Sequence, residues 1–251
     1  MKLLLTIVSV VLFAANSFAA DLVIFAGAGL IKPMEELKQN FEQAHQIKAK
    51  VHYGSSGEIF GQLAAGQSAD VFIPGAEKYT KDALKNGWVI EDTIHNLVYH
   101  IPVIATPKGN PAHVTGFMDL KKSGIRVSIG DPKAPAIGRV AKKMMTKAGI
   151  YDAVKPNIKV LAPTVNQLLI YVALNQVDAA IIWKDLTSWA EGKGKVEIVP
   201  IEKQYNMIKT IPTAVCTRAQ NMKMATAFNA YVDSAEGRQI WEKWGFDPCL
   251  K

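Results

Sequence analysis

The sequence predicts an α/β fold in two lobes, each a mostly parallel sheet flanked by helices. Short apolar runs alternate with amphipathic runs along almost the whole chain, the pattern of repeated βα units. Two near-copies, IPVIAT at 101–106 and IPTAVCT at 211–217, bracket one complete set of such units and leave another outside. The apolar runs also end alike, in small residues placed just ahead of a helix pattern.

The elements follow in order. LVIFAGAG leads into KPMEELKQNFEQAH, with Pro33 suited to a first turn and Met34, Leu37 and Phe41 on one face. AKVHYGSS leads into GEIFGQLAAG, and ADVFIPGA into EKYTKDALKNG, where Gly87 is a helix stop. HIPVIAT reads as a buried strand. IRVSIGDPKAPAIG precedes RVAKKMMTKAG, and IKVLAPT precedes VNQLLIYVALNQ with Thr164 as N-cap. AAIIW precedes KDLTSWAEG, and TIPTAVCT precedes one long helix pattern ending in KWG. The near-copies are read as crossover strands near 101–106 and 211–217. Lobe one is then 20–102 plus 213–251, and lobe two is 103–212.

The first segment stands apart from this fold. Lys2, an apolar run from Leu3 to Ala15 and the small-x-small Ser17-Phe18-Ala19 read as a signal peptide over residues 1–19, cleaved before Ala20. An exported, soluble chain follows. The net charge of +7 is scattered without a basic stripe or interleaved aromatics, which argues against nucleic acid. A mild positive field suits small anions. Export leaves a Cys216–Cys249 disulfide open, since sequence cannot bring their Cα atoms within bridging range.

Function is written at the strand ends. AGAG (26–29), GSSG (54–57), APAIG (134–138), APTV (162–165) and WKDL (183–186) fall where ligands bind in open α/β sheets, beyond the carboxyl ends of strands. Helix N-termini there offer unpaired N–H groups and a positive dipole end, together an anion site. Gly27, Gly29, Gly54 and Gly57 allow close backbone approach or positive φ.

GSSG raises a second reading, a serine nucleophile at Ser55 or Ser56. It misses the G-x-S-x-G elbow by one residue, and no histidine has a recognisable triad context. A metal site finds no paired ligands at one-element spacing among Glu58, Asp70, Asp131, Asp178 and Asp185. Asp70 reads as a backbone-satisfying residue, and Lys184 with Asp185 as a solvated pair at a cleft mouth.

LVIFAGAGLIKPMEELKQNFEQ, VHYGSSGEIFGQLAAGQSADVFIPGAEKY, VSIGDPKAPAIGRVAKKMM and the late KWGF resemble the periplasmic molybdate-binding proteins of ABC importers, in the same order and over nearly the whole chain. The resemblance implies a two-lobed type II periplasmic binding protein closing over molybdate or tungstate. It implies no cofactor, no catalysis, a monomer, and an inner-membrane permease as partner. In that family neutral donors hold the anion. Position by position, Ser56 gives hydroxyl and N–H, Ile137 and Val165 give N–H groups, and Ala28, Ser55 and Ala136 are additional candidates.

Two positions depart from the family pattern. Gly29 stands where a serine hydroxyl is usual, and Trp183 where a tyrosine is usual. Trp183 keeps a donor but no acceptor. The choice of oxyanion therefore stays open, as does a different anion, a cation or a small organic solute on the same fold.

Overall fold

Strands covered on both faces need nearly continuous apolar runs, and LVIFAG, VFI, VSIG and AAIIW supply them. In the computed structural model, which describes residues 21–133 and 135–249, these runs lie inside two sheets. The leader expected over 1–19 lies outside the described residues.

The first half of the chain runs β1 (Leu22–Gly27), a 3-10 turn (Ala28–Leu30), α1 (Ile31–His45), β2 (Ala49–Gly54), α2 (Ser56–Ala64), β3 (Val71–Ile73), α3 (Glu77–Lys85) and β4 (His95–His100). Next come β5 (Pro102–Pro107), β6 (Val127–Gly130), α4 (Ala136–Lys147), α5 (Tyr151–Val154), β7 (Ile158–Ala162), α6 (Val165–Ala173), β8 (Ala179–Trp183) and β9 (Val196–Pro200). The chain ends with β10 (Lys209–Val215), α7 (Met222–Val232), α8 (Ala235–Lys243) and β11 (Asp247–Pro248).

One sheet has the order β11-β4-β10-β3-β1-β2, the other β7-β6-β8-β5-β9. The βα units β2-β1-β3 and β7-β6-β8 are parallel, as their alternation with helices predicts. The remaining strands add antiparallel, so both sheets are mixed. β5 cannot run as a crossover-linked parallel neighbour of β4, because Ile101 alone separates them.

The near-copied strands keep to single sheets, β5 in the second and β10 in the first. The chain passes between sheets at Ile101 and returns through 201–208. Pro102 opens β5, and Pro212 sits where the β10–β4 register shifts. Both placements spare the ladder a missing N–H.

The late helix pattern divides into two. Ser234 accepts the N–H of Gly237 at 3.1 Å as the N-cap of α8, so the helix restarts after Asp233. KDLTS forms a 3-10 turn rather than an α-helix. Asp70 satisfies backbone as expected, and on both sides of its strand. Its buried carboxylate accepts the N–H groups of Val23 at 2.7 Å, Gln220 at 2.7 Å and Asn221 at 3.1 Å.

The disulfide left open by the sequence does not form: Cys216 and Cys249 are free, buried thiols. Cys216 continues β10 and Cys249 continues β11, which flank β4 on opposite sides. Two strand spacings of about 4.8 Å exceed bridging range before any offset along the strands. Burial pushes the Cys216 thiol up to about 12, so it stays protonated and packs as a small apolar group.

Candidate functional site

The carboxyl ends of β1, β2 and β3 bring Gly27, Ser56 and Gly75 together. A Cβ on Gly27 would stand 3.1 Å from the Gly75 nitrogen, and the Gly75 N–H donates to Ser56 Oγ at 3.0 Å. A serine hydroxyl that accepts this bond keeps its own proton for another acceptor. Ser55 is committed elsewhere. Its Oγ accepts the Glu58 N–H at 3.2 Å while Glu58 Oε2 accepts the Ser55 N–H at 3.3 Å, closing a capping box. Ser55 therefore fixes the start of α2 and aims Ser56.

None of Gly27, Gly29, Gly54 or Gly57 has positive φ. Gly27 and Gly54 serve close approach, the latter beneath Glu58 and Ile59, whereas a Cβ on Gly29 would meet nothing within 4 Å. Ala28 and Gly29 form the 3-10 turn ahead of α1, beside open space.

The second sheet contributes two helix starts. A Cβ on Gly138 would fall 2.3 Å from the Gly130 carbonyl oxygen, so α4 presses its first turn directly onto the end of β6. This fixes the backbone of Ala136 and Ile137. The Ile137 side chain is core, leaving its backbone as the part available to a ligand. Thr164 Oγ accepts the Gln167 N–H at 3.2 Å and starts α6 at Val165. Asp131 N–H donates to the Ala162 carbonyl at 2.8 Å, which ties the ends of β6 and β7 together.

Trp183, at the end of β8, lies where the chain passes between sheets and is only 4 % exposed. Its indole stacks on His100, with ring centroids 3.6 Å apart and planes 23° from parallel. Lys184 and Asp185 are not a solvated pair. The 3-10 turn sends them to different surroundings: Lys184 Nζ reaches Asp247 Oδ2 at 2.6 Å in the other sheet, while Asp185 is 2 % exposed. The Asp185 carboxylate oxygen is 3.5 Å from His100 Nε2. Burial pushes Asp185 up to about 8, and burial with the nearby Lys209 charge holds His100 down at about 3. Both are therefore neutral at pH 7.

His100 was not among the residues the sequence singled out for binding. Its signal is positional, as the last strand residue before the passage between sheets. Neither of its ring nitrogens completes a well-formed hydrogen bond. Among the described residues no group of three or more His, Cys, Asp or Glu side chains could hold a metal ion.

Residues 22–247 match the family model described as bacterial extracellular solute-binding protein. The chain belongs to that family. It is 36% identical to a putative binding protein of Haemophilus influenzae over 99% of this chain and 100% of that one. It is 26% identical to the molybdate-binding protein ModA of Mycobacterium tuberculosis, covering 91% of this chain and 85% of that one. The fold matches the substrate-binding domain of a putative molybdenum ABC transporter from Clostridium difficile. That match has a TM-score of 0.78 and 23% identity, over 92% of this chain and 99% of that one. The chain is thus a solute-binding protein with the two-lobed type II periplasmic binding fold. None of its described helices is long and apolar enough to cross a membrane.

Proposed function

We propose that this solute-binding protein captures a tetrahedral oxyanion, molybdate or tungstate, in the periplasm and delivers it to the permease of an ABC importer. The observation that carries the reading is the Gly75–Ser56 bond, which orients a hydroxyl with its proton unspent at the end of β2. Across from it, the first turns of α4 and α6 offer N–H groups at Ile137 and Val165. Bonds to a charged acceptor contribute roughly 1.5–3 kcal/mol each, so several neutral donors suffice for a dianion once water is excluded. The two lobes close about the passages between the sheets, at Ile101 and through 201–208, rather than about the strands 101–106 and 211–217 themselves. The monomer acts without cofactor or catalysis, and the relatives' names, binding proteins and a molybdenum transporter domain, support transport over turnover.

A larger anion on the same site is favoured by one observation, the open space at Gly29. Calorimetric titration of ligand-free protein with molybdate, tungstate, sulfate and phosphate tests the primary reading. Tight binding of molybdate or tungstate, with little for sulfate, is expected. Silence to all four would overturn it.

A further inference from the structure

His100 is a buried side chain at the junction of the two sheets whose ring nitrogens complete no well-formed hydrogen bond. It is 7 % exposed, and its polar neighbours are the Gly75 backbone, in loose contact, and the Asp185 carboxyl, 3.5 Å from Nε2, neither of them a well-formed bond. Buried polar groups in folded proteins are almost always paired, so an orphaned imidazole calls for a missing partner. Its surroundings say what kind. One ring face lies on Trp183 of the second sheet. The ring also lies against the backbone of Gly75, in the loop just after β3 of the first sheet, whose N–H holds Ser56 Oγ. His100 thus stands between the two walls that carry the oxyanion donors.

We propose that His100 is a ligand contact and specificity residue of this cleft, bonding an oxygen of the captured anion and replacing the donor that Gly29 lacks. The inference deepens the oxyanion reading and rests on it. The chemistry is that of a neutral donor relay. Asp185, kept protonated by burial, has its carboxyl 3.5 Å from Nε2 and can close on it as an O–H donor. That bond fixes the tautomer with hydrogen on Nδ1, leaving one N–H for the anion. No charge needs to be buried in the empty site, and the anion meets another dipole rather than a cation. Gly29 leaves open space where a serine side chain would stand, so nothing at that position supplies the donor.

The test is calorimetry on wild type, His100→Phe and His100→Gln with molybdate, tungstate, sulfate and phosphate. It is paired with NMR of the histidine ring nitrogens in ¹⁵N-labelled wild type, assigned through His100→Phe. Phe keeps the ring stack on Trp183 and removes the nitrogens; Gln keeps a donor. The expected result is a loss of about 10- to 100-fold in affinity for Phe, one bond to a charged acceptor, with partial recovery for Gln. The Phe variant should melt no lower than wild type when ligand-free, since the orphaned polar atoms are gone. Saturating wild type should shift the His100 nitrogens while the ring stays neutral. Unchanged affinity in His100→Phe, or unmoved ring nitrogens at saturation, would overturn the proposal. If Phe fails to fold, the wild-type NMR shift and the Gln affinity decide. Binding of none of the four anions by wild type would instead sink the oxyanion reading, and this inference with it.

Discussion

The N–H of Gly75 donates to Ser56 Oγ at 3.0 Å, joining the end of β3 to the first residue of α2. The bond spends one lone pair and leaves the hydroxyl proton for a ligand. Ser56→Ala should therefore lower oxyanion affinity about 10- to 100-fold, the worth of one bond to a charged acceptor. Its stability cost should stay near 1 kcal/mol, because the Gly75 N–H loses its acceptor. Titration of the variant beside wild type measures the first, and urea unfolding the second.

Ser55, its neighbour, should behave in the opposite way. Its side chain is half of a capping box with Glu58. Ser55→Ala should cost about 1 kcal/mol of stability, within the usual range for a lost N-cap. Affinity should change little once the protein is folded. A large affinity loss at Ser55 with unchanged stability would mean that the cap geometry misassigns its role.

Much of this was legible in the sequence because it is local. The first turns of α2 and α6 could be read from GSSGE and from Thr164, whose caps lie within four residues of their partners. Other features depend on distant packing. HNLVYH carries no clean alternation and becomes β4 because β10 and β11 pair with it from both sides. Asp185 looks like a surface charge beside Lys184. Its burial follows from the 3-10 turn that starts right after Trp183 and from the packing of that turn, which no local pattern announces. His100 is recognisable only once Trp183 and Gly75, far from it in sequence, are placed around it.

The pair His100 and Asp185 predicts an asymmetric pH dependence of stability. Asp185 is raised to about 8 by burial, from an ordinary 3.8. The folded protein thus keeps a proton that the unfolded chain has lost, and stability falls as pH rises from about 4 to 8. His100 is lowered to about 3 from 6.5, by burial and then by Lys209. The unfolded chain takes the extra proton, so stability falls as pH falls from about 6.5 to 3. The two slopes cancel between about 4 and 6.5, and Asp185 acts alone from about 6.5 to 8. Asp185→Asn should abolish a decline of about 2 kcal/mol over that upper window. Unfolding curves at pH 6.5 and 8 check this, and parallel behaviour of wild type and variant would refute it.

Asp70 should be the costliest carboxylate to remove. It holds three N–H groups, from Val23 beside β3 and from Gln220 and Asn221 ahead of α7. Asp70→Ala strands these donors around a buried site, each at about 1–3 kcal/mol. A total of about 3–5 kcal/mol is expected, read as a lowered urea midpoint with an unchanged slope. Asp70→Asn should lose less, because an amide oxygen still accepts.

Gly29→Ser separates the two ligand readings. A Cβ there meets nothing within 4 Å, and Gly29 does not have positive φ, so serine enters without strain. Replacing glycine also trims the entropy of the unfolded chain, which should hold or slightly raise stability, by about 0.4–1 kcal/mol at most. If the site takes a bare tetrahedral oxyanion, the new hydroxyl adds a donor and affinity should rise about tenfold. If a larger anion fills the open space beside Gly29, the same side chain intrudes on it and affinity for that ligand should fall. Calorimetry with molybdate and with an organic phosphate gives opposite signs in the two cases, so one variant decides what the missing hydroxyl was traded for.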